Sequence, residues 1–229
     1  MKYPNFNEEK KLYDRGYKIV VGIDEVGRGP LAGPVIACAI TVPEFLISNF
    51  KFLNIKDSKK LSAKQREEIY EIFKNNPDVE WGIGRVSEKV IDRINIFQAT
   101  KLAMQRAVGS LEKKLENGLV LNSHDRGNLA PVSSVDFLII DGNFGIKVRK
   151  SQSEYVPYKS IIKADEKVFS CAAASIVAKV TRDRMMINYH KKYPDYGFDK
   201  HKGYGTELHR KLIKKHGFCR LHRRSFKIS

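Results

Sequence analysis

The stretch YKIVVGIDEVGRGPLAGPVIACAITV, residues 17–42, decides the fold. It contains two apolar runs rich in β-branched residues, one over 17–26 and one over 34–42. The tight segment GRGPLAG, 27–33, joins them. Two such runs linked through glycines and a proline are typical of a β-hairpin. We therefore predict that the chain opens its sheet with a hairpin.

Apolar periodicity predicts helices and further strands beyond this hairpin. Ser62 and Gln65 have the spacing of a capping box, which predicts a helix that begins at Ser62. A long helical pattern covers 88–116, with a kink near Asn95. The other predicted elements are strands over 79–86, 135–140 and 158–163, helices over 170–193 and 206–216, and a surface loop over 117–134.

The order β-β-α-β-α-β-β-α-α predicts an α/β fold with a mixed β-sheet flanked by helices. We expect a single domain over residues 1–229, with a basic, helical C-terminal segment over about 195–229. Residues 1–18 are polar and mixed in charge, and they lack the apolar core of a secretory signal.

Composition restricts the class of partner. The 229 residues are 42% apolar and 30% charged, enough for a sizeable core and unlike a disordered chain. Lys and Arg number 42 against 26 acids, a net charge of +16. A domain this basic usually binds a polyanion, so nucleic acid is the first candidate, whereas a purely structural role needs no such field.

Two further features predict a cytoplasmic protein that does not contact a membrane. No run of 18 apolar residues is present, so no transmembrane helix is expected. The cysteines are far apart, odd in number and fit neither a disulfide framework nor a zinc spacing, as suits a reducing cytosol. They are Cys38, Cys171 and Cys219.

The C-terminal segment carries half of the surplus charge. Residues 199–229 contain ten Lys and Arg against two acids, a net charge of +8, with Tyr204, Phe218 and Phe226 interleaved. A solvated basic tail is the simpler interpretation, but the aromatic residues favour contact with nucleic acid. Four histidines of the segment have no metal-ligand spacing, and we expect them on the surface. They are His201, His209, His216 and His222.

Four acids follow or end apolar strands, namely Asp24, Glu25, Asp141 and Asp165. If the strands are neighbours, the carboxylates converge and repel one another unless a cation lies between them. Hard oxygen ligands favour Mg²⁺ or Mn²⁺, and two such ions about 4 Å apart can promote phosphodiester hydrolysis. Taken singly, Asp141 before Gly142 also fits a turn and Asp165 fits a helix cap. Four such acids in a cationic chain favour the metal site.

Adjacent strand residues point to opposite faces of a sheet. Asp24 and Glu25 therefore reach one site with both side chains only if the strand ends or bulges there. Otherwise Glu25 contributes through its backbone carbonyl or through water.

The glycines beside these acids allow two interpretations. Gly27, Gly29 and Gly33 fit a tight hairpin that needs positive φ. They also fit a loop whose N–H groups approach a phosphate or a sugar, with Arg28 adding a charge-assisted contact. The segment lacks the spacing of a P-loop.

The chain resembles type 2 ribonuclease H, ribonuclease HII, in six ordered motifs: GIDEVGRGPLAGPV (22–35), DSKKLS (57–62), INIFQATKLAMQRAV (94–108), LIIDGN (138–143), KADEKVFSCAAASIVAKVTRDRMM (163–186) and YGFDKHKGYGT (196–206). The resemblance implies a ribonuclease H-like fold. It implies an endonuclease that hydrolyses the RNA strand of RNA–DNA hybrids and incises duplex DNA at embedded ribonucleotides, leaving 5′-phosphate and 3′-hydroxyl ends. It also implies Mn²⁺ or Mg²⁺ as cofactor, with two ions in the substrate complex, and a monomer.

The resemblance assigns roles by motif. The catalytic and metal-binding residues are Asp24, Glu25, Asp141 and Asp165. The nucleic-acid-binding residues are Gly27, Arg28 and Gly29 in the junction-sensing loop, Tyr204 against the deoxyribose after the ribonucleotide, and Lys59 and Lys60 at phosphates. Residues 117–134 and the gap between Asp141 and Asp165 are longer than the family pattern and read as loop insertions. The short N-terminal region and the GRG sequence favour type 2 over type 3.

Two other hypotheses stay open at this point. A basic RNA-binding module without catalysis explains the charge but not the four acids. A ribonuclease H-like nuclease that acts on DNA alone, such as a resolvase, explains both, and a requirement for the 2′-hydroxyl separates it from a ribonuclease.

Overall fold

A computed structural model describes residues 3–46, 55, 58, 60–121 and 134–228, without the side chains of 118–121. The helices are α1 (Asn7–Tyr13), α2 (Ala63–Lys74), α3 (Glu88–Leu121), α4 (Phe169–Lys192), α5 (Phe198–His201) and α6 (Glu207–His216). The strands are β1 (Val20–Val26), β2 (Val35–Thr41), β3 (Glu80–Val86), β4 (Phe137–Asp141) and β5 (Tyr158–Ile161). Short 3₁₀ turns cover Glu44–Leu46, Ala164–Glu166 and Pro194–Tyr196.

The five strands form one mixed sheet in the order β3-β2-β1-β4-β5. The pairs β1–β2 and β2–β3 are antiparallel, and the pairs β1–β4 and β4–β5 are parallel. The predicted hairpin and the predicted α/β class with a mixed sheet are thus confirmed. The parallel pairing of β4 beside β1 brings the ends of these two strands to the same edge of the sheet.

Helices cover both faces of the sheet. On one face, Phe73 of α2 and Phe169 and Ile176 of α4 pack in a cluster with side chains of β2. On the other face, Met104 and Leu111 of α3 lie in a second cluster with side chains of β1, β2 and β4. All seven residues of β2 are buried, as expected of a strand covered on both sides.

Local signals place several elements well. Ser62 and Gln65 form the predicted capping box at the start of α2. Asn95 interrupts α3 with φ 65° and ψ 165°, and its side chain accepts a hydrogen bond from Gln98 N–H. The predicted kink is therefore confirmed. Thr206 caps α6 by accepting from His209 N–H, and Gly217 is the C-cap that follows the last helical residue, His216.

Several sequence predictions are wrong in detail. The ladder of β1 begins only at Val20, because the N–H groups of residues 18 and 19 donate instead to Asp136. The long helix continues to Leu121, so the predicted loop over 117–134 is wrong for 117–121, and 122–133 lie outside the described residues. β5 ends at Ile161, so Asp165 lies in a 3₁₀ turn rather than at a strand end.

The sequence analysis also missed α1, which buries Leu12 and Glu9. The Glu9 carboxylate accepts from Ser170 N–H at 2.8 Å, at the start of α4. The apolar stripe of α1 is too short to be recognised in a polar segment. Among the described helices, none is long and apolar enough to span a bilayer.

Candidate active site

Three aspartates meet at the edge of the sheet where β1 and β4 run parallel. Ile23 pairs with Ile140, so Asp24 and Asp141 are neighbours one position further along. Asp165 comes from the 3₁₀ turn that follows β5. One carboxylate oxygen of each aspartate lies within 4.8 Å of the other two. The structure thus brings together three of the four acids that the sequence predicts as metal ligands.

Hydrogen bonds orient these carboxylates. Asp24 accepts from the backbone N–H of Glu25 at 2.7 Å and from the hydroxyl of Ser175. Asp141 accepts from the N–H of Ala164 at 2.6 Å, which ties β4 to the turn that carries Asp165. Ser175 also lies 2.8 Å from the buried hydroxyl of Ser58, measured between the two oxygens. The bonds to Asp24 and Asp141 restrict the rotation of these carboxylates, and the bond to Ser58 holds Ser175 in place.

The site is electrostatically frustrated without a cation. Burial raises the pKa of Asp24 well above its ordinary value, and the carboxylates of Glu25, Asp141 and Asp165 raise it further. Like charges this close cannot all ionise without strain unless positive charge lies among them. Hard carboxylate oxygens are the donors that Mg²⁺ and Mn²⁺ prefer. The residues present therefore fit a divalent cation.

Glu25 lies beside the aspartates but outside their group. β1 pairs regularly through Glu25 and Ala37, so the strand neither ends nor bulges there. The Glu25 carboxylate forms an ion pair with Arg28 at 3.3 Å. Burial raises the pKa of Glu25, and Arg28 acts against that shift. Its second oxygen, Oε2, is buried and has no hydrogen-bond partner among the described residues, so it remains available to a ligand.

The two outer glycines of the GRG loop serve different needs. Gly27 has φ +91°, and a Cβ there would run into the side chain of Arg182. Gly29 has no such φ, and a Cβ there would meet no atom within 4 Å. The chain itself therefore requires glycine at Gly27 but not at Gly29. The space beside Gly29 is open to a bound molecule.

Tyr204 lies on the turn before α6 with 40% of its surface exposed. The ammonium group of Lys179 lies 5.9 Å from the centre of its ring, and the guanidinium of Arg182 lies 5.8 Å from it. Its backbone oxygen lies 2.9 Å from Nδ1 of His209 and 2.8 Å from the N–H of Thr206. The backbone of Tyr204 is thus fixed while its ring remains accessible.

The comparisons with known proteins agree with this geometry. The family model for ribonuclease HII matches residues 21–229. A ribonuclease HII of Syntrophus aciditrophicus is 43% identical over 220 residues, 96% of this chain and 89% of the relative. That of Treponema denticola is 46% identical over 208 residues, 91% of this chain and 98% of the relative.

The chain belongs to the ribonuclease HII family. A solved structure of ribonuclease H2 from Pyrococcus horikoshii OT3 has the same fold, with a TM-score of 0.63, 26% identity and coverage of 92% of this chain and 94% of that one. The family and the enzyme class that the motifs imply, a type 2 ribonuclease H, are confirmed.

The prediction that the four C-terminal histidines lie on the surface is wrong for three of them. His201, His209 and His222 are buried, not on the surface, whereas His216 is exposed. Cys219 N–H donates to Nδ1 of His222, and the Nε2 atoms of His222 and His209 lie 3.1 Å apart. These bonds and the contact with the Tyr204 carbonyl require one neutral tautomer of each ring. Consistently, burial lowers the pKa of His209 and of His222 to about 4.

The sequence analysis missed three residues that support the site, Ser175, Arg182 and Arg223. Ser175 lies within the CAAAS sequence at the start of α4, among small residues that pack closely against the sheet. Arg182 and Arg223 lie in basic stretches and are almost completely buried. Pattern alone did not distinguish them from their exposed neighbours.

The DSKKLS motif carries two lysines that the sequence analysis assigns to phosphate contacts. Lys60 is exposed, and Lys59 lies outside the described residues. Their contact with phosphate stays a prediction.

Proposed function

We propose that this ribonuclease HII family member hydrolyses the RNA strand of RNA–DNA hybrids and incises duplex DNA at embedded ribonucleotides, leaving 5′-phosphate and 3′-hydroxyl ends. The observation that carries the proposal is the group of three aspartates within 4.8 Å of one another. The GRG loop, whose outer face is open at Gly29, follows directly on the strand that carries Asp24.

Asp24, Asp141 and Asp165 would hold the divalent cations. Glu25 would contribute through its backbone carbonyl, or through a water molecule bound at its unpartnered Oε2. We propose two ions, Mn²⁺ or Mg²⁺, in the substrate complex. Such ions supply positive charge that offsets negative charge at the scissile phosphate and lower the pKa of water. Binding of these cations would explain why a protein with a net positive charge concentrates acids at this one place.

The residues of the chain orient the acids before substrate arrives. Ala164 N–H fixes Asp141, and Glu25 N–H and the Ser175 hydroxyl fix Asp24. Because these donors are held by the sheet and by α4, the carboxylates need little reorganisation on binding. Burial of Asp24 also limits the access of water to its carboxylate.

The GRG loop supports recognition of the ribose. Neither Arg28 N–H nor Gly29 N–H has an acceptor among the described residues. Two adjacent free donors suit a 2′-hydroxyl or a phosphate oxygen, which carry no information about the base. On the far side of the junction, the exposed ring of Tyr204 would pack against a deoxyribose and leave no room for a second hydroxyl.

Basic side chains support binding of the duplex backbone. Lys211, Lys214 and Lys215 are exposed on α6, and Lys59 and Lys60 are proposed to contact phosphates. Such contacts add affinity without sequence preference. The proposed substrate is therefore an RNA–DNA hybrid or a ribonucleotide-containing DNA duplex of any base sequence.

The test compares three duplexes of one sequence: an RNA–DNA hybrid, DNA with one ribonucleotide, and DNA alone. We expect cutting of the first two with Mg²⁺ or Mn²⁺, one cut at the single ribonucleotide, and none of DNA alone. Cutting of the DNA duplex at a similar rate would indicate a nuclease that ignores the 2′-hydroxyl. Absence of cutting at the single ribonucleotide would refute the proposed junction activity.

A further inference from the structure

Two arginines that the catalytic assignment does not use are buried, and no carboxylate among the described residues lies within ion-pair distance of either. Arg182 of α4 is 0% exposed and Arg223 of the C-terminal segment is 1% exposed. Neither forms an ion pair with a carboxylate in the described part of the chain. A buried charge without a counter-ion is costly, so its hydrogen bonds must have a strong structural purpose.

Arg223 binds the carbonyl groups of the GRG loop. Its Nη2 donates to Gly27 O at 2.6 Å and to Gly33 O at 2.8 Å. Its Nη1 donates to Arg28 O at 2.9 Å, and its Nε donates to Gly33 O at 2.9 Å. One guanidinium thus holds three carbonyls of a single loop on its inner side.

This arrangement determines the direction of the free amide groups. All peptide bonds in the described ranges are trans, and in a trans peptide the C=O and the following N–H point in opposite directions. Because the carbonyls of Gly27 and Arg28 point inward to Arg223, the N–H groups of Arg28 and Gly29 point away from it. These are the two donors without an acceptor among the described residues.

Arg182 joins the same loop to the turn that carries Tyr204. It donates to Ala32 O at 3.1 Å and Pro34 O at 3.0 Å on the loop side, and to Lys202 O at 2.9 Å on the other. Its guanidinium carbon lies 5.8 Å from the centre of the Tyr204 ring. It therefore lies between the two elements that the proposed function assigns to the two sides of the junction.

Backbone hydrogen bonds also join the C-terminal segment to the GRG loop and the GRG loop to the Tyr204 turn. Arg223 N–H donates to Leu31 O at 2.8 Å, and Leu31 N–H donates to Gly203 O at 2.8 Å. The next residue back, His222, supports Tyr204 through His209. The loop, the Tyr204 turn and this segment therefore form one hydrogen-bonded unit.

We propose that Arg223 and Arg182 are positioning residues that aim the Arg28 and Gly29 amides outward and fix their separation from Tyr204, so that the enzyme recognises a ribose followed by a deoxyribose. The inference rests on the proposed function. A lysine cannot substitute for either arginine, because a single ammonium group cannot span three carbonyls in the plane of a guanidinium.

The main test uses Arg223→Lys, which keeps the charge, with Arg224→Lys as the matched control, since Arg224 is the exposed neighbour. The measurements are kcat/KM on DNA with one ribonucleotide and the inhibition constant of the all-DNA duplex. We expect Arg223→Lys to lower kcat/KM tenfold or more while the inhibition constant changes less than twofold. Arg224→Lys should change both by less than twofold. A folded Arg223→Lys protein with wild-type kcat/KM overturns the proposal, and so does an equal loss in both measurements.

A second measurement needs no variant. In the NMR spectrum of the wild-type protein without nucleic acid, the Nε–H of Arg223 should be visible and protected from exchange. Addition of DNA with one ribonucleotide should shift the Arg28 and Gly29 amides and leave that signal in place. An exchanging Arg223 Nε–H in the free protein would show that the loop is not held in advance, which overturns the inference. Failure of the proposed function is distinct, because the wild-type enzyme would then not cut the single-ribonucleotide duplex.

Discussion

Asp24 and Asp141 lie side by side on two parallel strands, each one position beyond the paired residues Ile23 and Ile140. Burial and three neighbouring carboxylates raise the pKa of Asp24 well above its ordinary value. Folding therefore disfavours the ionised form of Asp24, and a bound cation would relieve that cost.

The first prediction is that Asp24→Asn stabilises the metal-free protein. Because the pKa of Asp24 is raised on folding, its ionisation removes stability as pH rises through the folded value. In EDTA at pH 7.5 we expect a higher free energy of unfolding than that of the wild-type protein, because the variant buries no ionisable carboxylate at this position. The gain should shrink toward pH 5. Urea unfolding at both pH values measures it.

With Mn²⁺ the wild-type protein should become more stable than Asp24→Asn, because the cation binds the folded wild-type protein. Asp195→Asn, at an exposed aspartate, serves as control and should change neither value. A loss of stability for Asp24→Asn in EDTA would mean that its carboxylate supports the fold rather than a cation.

The second prediction separates the two glycines of the GRG loop. Gly29→Ala should leave the free energy of unfolding within about 0.5 kcal/mol of wild type, because its Cβ meets only open space. It should still lower kcat/KM on single-ribonucleotide DNA at least tenfold, because the Cβ would occupy the space that we propose for the sugar. Gly27→Ala should destabilise by about 2 kcal/mol or more, from φ +91° and the contact with Arg182. Wild-type cutting by Gly29→Ala would show that nothing approaches this face.

The third prediction concerns Tyr204. Tyr204→Ala should lower kcat/KM on single-ribonucleotide DNA by about 10- to 100-fold, the cost of roughly 1–3 kcal/mol of contact. Cutting within a long RNA–DNA hybrid should change far less. Tyr155→Ala, at another exposed tyrosine, is the matched control. Equal losses on both substrates would make Tyr204 a general binding residue.

The fourth prediction concerns the basic C-terminal segment. Removing the whole segment would also remove Arg223 and the buried Ile213 and Leu221, so surface substitutions are the cleaner test. Lys214→Gln with Lys215→Gln should make the slope of log K against log salt shallower by about 1–2, roughly 0.9 per lost phosphate contact. The change should be equal for all three duplexes. As a control, the same double substitution at Lys10 and Lys11 of α1 should leave the slope unchanged. An unchanged slope for the Lys214→Gln, Lys215→Gln variant would show that α6 does not contact the nucleic-acid backbone.

Local patterns were sufficient for most of the fold. The capping box at Ser62, the kink at Asn95 and the glycine after α6 each depend on a few adjacent residues, so the sequence predicts them. The end of α3 was missed because the helix continues through Asn117 and Gly118, which usually signal a helix end. The short helix α1 was missed because it has too few apolar residues. The position of Asp165 was wrong because β5 ends early at Ile161.

The site depends more on tertiary contacts. The acids could be found because each lies beside an apolar run. The burial of His201, His209 and His222, and that of Arg182 and Arg223, follows from contacts between segments up to 196 residues apart. No pattern within one segment distinguishes such a residue from an exposed basic side chain.

The most direct measurement compares wild type and Asp141→Asn on duplex DNA that contains one ribonucleotide, at saturating Mg²⁺ and in EDTA. The amide oxygen of Asn can still accept from Ala164 N–H, so the fold should be kept, as an unchanged free energy of unfolding would show. We predict that the wild-type enzyme cuts once, at the ribonucleotide, only with the cation, and that Asp141→Asn is slower by about a thousandfold or more, a barrier increase of roughly 4 kcal/mol. Cutting by Asp141→Asn at the wild-type rate would contradict the assignment of the three aspartates.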